Sequence, residues 1–435
     1  MPNTNGPLHP ETEAKRAGYW KPVRVAHLIS HPIQYFAPLY RELSSRPEID
    51  LTVYFYSDLS LREFDDAGFG ARIRWDVPLT GGYKCEFLPS SRGARVDGAL
   101  FSQPNWDLLR HIAKARYDVI WVHCYAHPNA WLARLIASAC GSRFLIREEQ
   151  TLIDSRPLYK RIAKQIVLRS LFKGSFALCI GEANRRYFAH YGLRQERIFS
   201  SHYCVDNEYF SSRASQLLPE RDGLRKRFGI DTADPVILFC GKFIEKKQPM
   251  LLMEAFDKVR RQTPCWLLMV GTGPLLEATR RFVTECRTPG VIMPGFMNQT
   301  ELPEAYAASD IFVLPSAFQE TWGLVVNEAM NFSLPVIVSD RVGCGENLVH
   351  HGLNGFIFPH DNPDALAKCL TSLLSNASMR REFGARSASI VADYGVVACA
   401  DGVVEGCLAA ACEKERSRGG LFRRIRQVSS GLFAW

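Results

Sequence analysis

Short apolar runs of strand length recur along this chain, separated by segments long enough to hold a helix. The first group is VRVAHLIS at 23–30, bounded by Pro22 and Pro32, then LTVYFY at 51–56, DVIWVH at 118–123, RFLIRE at 143–148, FALCI at 176–180 and RIFSS at 197–201. A second group follows: PVILFCGKF at 235–243, CWLLMVG at 265–271, GVIMPG at 290–295, IFVLPS at 311–316, PVIVSD at 335–340 and GFIFP at 355–359. Apolar runs of this length read as buried strands. Parallel strands need long crossovers, so the alternation implies parallel sheets covered by helices on both faces. Between the groups, 206–234 is polar, rich in Ser and Arg and ends in Asp-Pro, which reads as a linker. A chain of 435 residues exceeds one ordinary core. The expected fold is α/β, two Rossmann-like doubly wound domains facing a central cleft. The expected divisions are an unstructured lead-in at 1–21, an N-terminal domain at 22–212 and a C-terminal domain at 213–395. A helix at 396–412 is expected to pack back on the first domain, with a basic amphipathic tail at 413–435.

Thirteen cysteines, an odd number, run from Cys85 to Cys412 without a C-x-x-C pair. That spacing suits neither a disulfide framework nor a zinc site, so reduced thiols in the cytoplasm are expected. The opening residues carry no apolar signal stretch, and no run of 18 apolar residues is present. The net charge is +8, and half of it falls after position 412. One local basic surface therefore fits better than a general affinity for nucleic acid.

The chemistry concentrates in SAFQETWGLVVNEAMNFSLPVIVSD at 316–340. A helix opening near Gly323 would aim the N–H groups of Gly323, Leu324 and Val325 at the space beside Glu320, a natural anion site. Glu328 would stand on the same helix about one and a half turns in, placing two carboxylates around that anion to receive sugar hydroxyls. The plain alternative is a capping Glu320 and a solvated Glu328. Lys242 and Lys247, in CGKFIEKKQP after a strand, could clamp a diphosphate and stabilise it as it leaves. The glycine turn VGTGPL at 270–275 permits close backbone approach to a ligand but lacks the third glycine of a dinucleotide fingerprint.

Taken in order, Gly241-Lys242 with Lys247, Gly271-Thr272-Gly273-Pro274, Gly295-Phe296, Glu320 to Glu328 with Trp322-Gly323-Leu324, Ser339-Asp340, Gly343, Glu346 and Asn354-Gly355 form an ordered set. In that set the chain resembles the retaining GT-B glycosyltransferases of family 4, of the bacterial surface-polysaccharide type. The resemblance implies that Lys242 and Lys247 bind the donor diphosphate, with Lys242 where the family more often has arginine. It further implies that Glu320 contacts the donor hexose and Glu328 the ribose. The backbone near Met293 would hold the base, and the amides of Gly323 to Val325 would meet phosphate or sugar. Gly241, Gly271 and Gly273 complete the donor side.

On the acceptor side, the first loop reads His31-Pro32-Ile33-Gln34 where many relatives carry a glycine pair. His123 ends a strand where related enzymes place a histidine near the donor sugar, and His127 is a second candidate. Arg147-Glu148-Glu149 either lines the acceptor pocket or makes a surface ion pair. Two basic segments, RPLYKRIAKQIVLRSLFK at 156–173 and the tail GLFRRIRQVSSGLFAW, carry apolar residues at helical spacing among the cations. Lys160, Arg161 and Lys164 cluster on one face of the first, with Leu158, Ile162 and Ile166 together on another. Leu421, Ile425, Val428 and Leu432 recur in the tail. Such segments dock on anionic membranes at about 1 kcal/mol per cation, or else pack into a core or remain unstructured.

The expectation is a metal-independent hexosyltransferase using a UDP- or GDP-linked sugar, with no cofactor and no metal-holding D-x-D pair. Its acceptor would be a saccharide or lipid-linked saccharide, met at the inner face of the cytoplasmic membrane. The rivals are a silent GT-B scaffold in a polysaccharide assembly complex and a Rossmann oxidoreductase. The intact carboxylate and lysine set argues against the first, and the missing G-x-G-x-x-G against the second.

Overall fold

The computed structural model describes residues 21–87, 106–153 and 157–431, with side chains described to Lys414. The lead-in expected at 1–21 therefore lies almost wholly outside the described residues, as do Arg156 and Leu432. The first sheet holds β1 (Val23–Ile29), β2 (Ile49–Phe55), β5 (Cys85–Phe87), β6 (Val119–His123), β7 (Arg143–Glu148), β8 (Phe176–Cys179) and β9 (Ile198–Ser200). Their spatial order is β5-β2-β1-β6-β7-β8-β9, and every pairing is parallel. A two-stranded antiparallel hairpin, β3 (Phe64–Asp66) and β4 (Ala71–Ile73), projects from the loop after β2.

The second sheet holds β10 (Val236–Cys240), β11 (Trp266–Val270), β12 (Val291–Gly295), β13 (Ile311–Leu314), β14 (Val336–Ser339) and β15 (Gly355–Phe358). Its order is β12-β11-β10-β13-β14-β15, again parallel throughout. Burial on both faces explains why these strands read as continuous apolar runs: all five residues of β10 and all four of β13 and β14 are buried. Each sheet reverses its strand order once, at β1/β6 and at β10/β13. Open α/β sheets bind ligands at the carboxyl ends of the strands flanking such a reversal.

Two expectations change. The stretch 206–234 is mostly helix, Asn207–Leu217 and Arg221–Arg227. Asp206 caps the first through Tyr209 N, and Arg221 and Arg225 both bond Asp310. Its polar residues are caps and ion-pair partners rather than linker, which composition alone does not distinguish. The division expected at 412/413 also falls inside one helix, Val396–Gly431. Its first turns pack against β7, β8, β9 and the helix Phe36–Ser45. Lys414 reaches back to Asp118 at 2.8 Å. The segment Ala377–Lys414 has the length and apolarity of a membrane span, yet half of its most apolar window is buried within the fold. It is also broken between the helices Ala377–Ala392 and Val396–Gly431.

Candidate active site

The reversal at β10/β13 assembles the second-domain half of the site. The loop after β10 carries Lys242 and Lys247, and the loop after β13 carries Glu320. Glu320 is 9% exposed and accepts hydrogen bonds from Lys247 Nζ at 2.5 Å and Ser316 Oγ at 2.9 Å, with Lys246 Nζ at 3.9 Å. Burial pushes its carboxyl up, but Lys247, Lys246 and Ser316 together hold it below the usual range. Beside it the helix Leu324–Asn331 begins at Gly323, whose φ of 101° is the left-handed geometry that glycine adopts without strain. No side chain caps that end, so it presents amide donors and the positive end of the helix dipole. Gly271 belongs to the same constellation because a Cβ there would lie 1.9 Å from the Gly241 carbonyl oxygen.

Glu328 sits where the sequence placed it on the helix, but neither solvated nor open to a ligand. It is fully buried, and its two oxygens accept from Tyr35 at 3.0 Å and Tyr306 at 2.7 Å. Burial raises its carboxyl to about 7, with both tyrosine bonds opposing. Tyr35 belongs to the loop after β1, so the first domain covers a group expected to meet the ribose.

The reversal at β1/β6 supplies the facing wall. His123 ends β6 and its Nε2 lies 2.9 Å from Glu149 Oε1. Glu149 also accepts from Tyr203, and from Thr321 Oγ1 across the cleft at 3.4 Å. Burial pushes the Glu149 carboxyl up, but the bonds and charges from His123 and Tyr203 outweigh it and bring it to about 2. A carboxylate there accepts, so His123 donates from Nε2, and its Nδ1 is buried without a hydrogen-bond partner. His31 is bonded to Ser30, and burial, with His123 close by, lowers it to about 4. Gln34 lines the donor-side cavity described below.

Three sequence-predicted site residues lie elsewhere. His127 caps the helix Pro128–Cys140 by accepting from Asn129 N, and it stacks on Tyr56. Arg147 is wholly buried, bonded to Ser201 and lying over the rings of Tyr203 and Phe36, so it lines no acceptor pocket. The strand ends at Glu148, and the chain leaves the sheet there, so Glu149 borders the cavity while Arg147 stays in the core. Met293 packs under the second sheet, and Phe296, Met297 and Gln299, just past β12, form the pocket wall instead.

Two cavities result. A polar one of about 320 Å³ lies between Glu149, Thr151, Lys246, Glu320, Thr321 and Arg341. A less polar one of about 290 Å³ is walled by Gly241, Lys242, Gly271, Phe296, Met297 and Gln299, and closed from the first domain by Tyr35, Asp66, Phe69 and Trp75. Sequence reasoning missed Tyr35, Asp66, Phe69, Lys246 and Arg341. Tyr35, Lys246 and Arg341 adjoin a motif; Asp66 and Phe69 arrive by tertiary contact.

The group 1 glycosyl transferase family profile matches residues 220–389, which contain the whole second-domain half of this site. Spore coat protein SA of Bacillus subtilis is 30% identical over 289 residues, covering 63% of this chain and 73% of that protein. The chain belongs to the group 1 glycosyltransferases. This glycosyltransferase is also 24% identical over 271 residues to the alpha-D-kanosaminyltransferase of Streptomyces kanamyceticus, covering 61% of this chain and 68% of that one. Its fold is that of HepE from Anabaena crystallised with UDP and glucose, at a TM-score of 0.62 and 17% identity over 88% of this chain and 98% of that chain. Both sheets thus belong to a GT-B glycosyltransferase, an enzyme class that draws on nucleotide-sugar donors.

Proposed function

We propose that this enzyme is a family 4 glycosyltransferase. It moves a hexose, with retention of configuration, from a UDP- or GDP-linked sugar to a lipid-linked saccharide in polysaccharide or glycolipid assembly. The observation that carries the reading is the buried Lys247–Glu320 pair at the β10/β13 reversal, between a polar cavity and a nucleoside-sized one. The second domain (213–395) serves the donor and the first (22–212) the acceptor. The base rests against Phe296 and Met297, and the diphosphate exchanges onto Lys242, Lys247 and the helix terminus at Gly323 to Val325. The hexose enters the polar cavity between Glu320 and Glu149. As the C1–O bond breaks, Lys247 and the amides take up charge on the leaving phosphate. The acceptor hydroxyl attacks from the same face and passes its proton to a leaving phosphate oxygen, so no protein nucleophile and no metal is required. Glu320 positions the sugar, and His123 stands near it, its Nε2 holding the Glu149 carboxylate at the cavity wall. His31 borders the acceptor approach, whereas Gln34 joins the wall of the nucleoside-sized cavity.

A thermal-shift series with UDP, GDP, ADP and NADH tests the donor. One nucleoside diphosphate raises the melting temperature, since a ligand at a hundred times its dissociation constant adds about 2.7 kcal/mol. No shift with any of the three nucleoside diphosphates, or a shift with NADH alone, overturns the reading.

The lipid-linked acceptor draws on the helix Leu158–Phe172. Only Leu168, Leu171 and Phe172 are buried in it, whereas Leu158, Tyr159, Ile162 and Ile166 are 55–69% exposed. Lys160 and Arg161 stand beside them, and Lys164 instead lies over the ring of Tyr187 at 4.8 Å. An exposed apolar stripe with adjacent cations suits the interface of an anionic bilayer on the cytoplasmic side. Replacing Ile162 and Ile166 by aspartate is expected to cut sedimentation with phosphatidylglycerol vesicles at least tenfold and leave nucleotide binding intact. Equal partition of variant and wild type would remove the membrane from this reading.

A further inference from the structure

The hairpin β3–β4 belongs to the first domain in sequence, yet its tip lies on the donor cavity of the second. Asp66, at the end of β3, meets the Lys242 ammonium with both carboxylate oxygens, at 2.8 and 2.9 Å. Phe69 lies under the same ammonium, 4.7 Å from Nζ to the ring centroid, and packs edge-on to Phe296 at 5.0 Å. Trp75 lies 6.5 Å from Phe296. Beyond the tip, Asn298 donates to the Arg74 carbonyl at 2.7 Å, and Thr300 bonds the Asp76 carboxylate. The fit is close: a Cβ on Gly273 would come within 2.9 Å of the Gly68 carbonyl oxygen. The hairpin thus makes a charged and an aromatic contact, and the residues just after it two polar ones, all to the two loops that wall one cavity.

We infer that the β3–β4 hairpin is a flap of the donor site, in which Asp66 holds the diphosphate-binding Lys242 until the nucleotide-sugar displaces it and Phe69 then closes over the nucleoside. The inference rests on the assignment of Lys242 to the donor diphosphate. A carboxylate held by two oxygens offers the ammonium the same chemistry as a phosphate, so the two compete for one cation. Lys242 and Asp66 side chains are 33% and 19% exposed, so the pair is partly screened and its exchange carries a modest cost. Phe69 and Trp75 meanwhile give the cavity an aromatic wall of the kind on which a base packs.

Asp66→Asn separates charge from shape. Asp66 Oδ1 also accepts from the backbone N–H of Gly68 and Phe69, at 2.8 and 3.0 Å, and these bonds form the turn at the hairpin tip. An asparagine carbonyl accepts the same two bonds. The variant therefore keeps the tip and loses only the competing charge. Titration calorimetry is run with UDP and GDP, and with uridine and guanosine as phosphate-free probes. Asp66→Asn is expected to tighten the nucleoside diphosphate that wild type binds by about threefold, the size of a partly exposed ion pair. The matching nucleoside is expected to bind unchanged. In a Lys242→Ala background the gain should vanish. Phe69→Ala is expected to weaken the diphosphate and the nucleoside alike, by about tenfold for one stacked ring. If wild type binds a diphosphate and Asp66→Asn binds it equally or more weakly, the exchange is wrong. An unchanged nucleoside affinity in Phe69→Ala removes the closing ring. If wild type binds no nucleotide, the donor assignment itself fails, and the two failures are thereby told apart.

Discussion

Lys247→Ala is expected to slow donor cleavage by at least about 100-fold, read as nucleoside diphosphate released from the nucleotide-sugar that raises the melting temperature. The lysine does two things in this geometry. On the proposed mechanism it neutralises the leaving diphosphate, and it bonds the buried Glu320 carboxylate at 2.5 Å. Without it, burial becomes the dominant influence on Glu320 and its carboxyl rises. The residual activity should therefore fall off at a higher pH on the acid side than that of wild type, because protonated Glu320 accumulates sooner. A Lys247→Ala enzyme within a factor of three of wild type, with an unmoved acid limb, would show that neither task belongs to this residue.

Gly343→Ala is expected to cost a similar factor without touching a single charged group. A Cβ at 343 would lie 2.0 Å from the Thr321 carbonyl oxygen and 3.0 Å from that of Glu320. Both are backbone atoms, and Gly343 N already bonds the Glu320 carbonyl at 2.8 Å. The segment carrying Glu320 must then retreat by more than an ångström, and displacements of that size cost about 100-fold in catalysis. Overpacking should also lower stability by about 1–3 kcal/mol. Gly345→Ala is the control, since its nearest neighbours stand at 3.7 and 3.9 Å, ordinary contact. Normal turnover in both variants would mean that Glu320 need not be held where it is seen.

The chain's own pattern specified the architecture. Runs such as 236–240 and 311–314 are apolar throughout because parallel strands are covered on both faces, and that signal survives without any knowledge of neighbours. The clustering of Lys242, Lys247, Glu320 and Gly323, proposed for the donor side, was legible for a related reason: they lie within two loops and one helix start, where spacing along the chain is nearly spacing in space. Polar helices were less readable. Caps and ion pairs at Asp206, Arg221 and Arg225 look like linker composition until Asp310 and Tyr209 are brought to them.

What only the tertiary structure decided is how the first domain meets that site. Strand alternation would set Arg147 and Glu149 on one face, so it does not say that only Glu149 borders the cleft. The packing settled it by burying the guanidinium between Phe36 and Tyr203. Tyr35 on Glu328 and Asp66 on Lys242 join residues 293 and 176 positions apart. No local pattern encodes such a pairing, because it depends on how two separately patterned sheets are set against each other. The sequence by itself determined two parallel sheets and the charged loops at one reversal; the closing of one sheet's loops over the other's charges exists only in three dimensions.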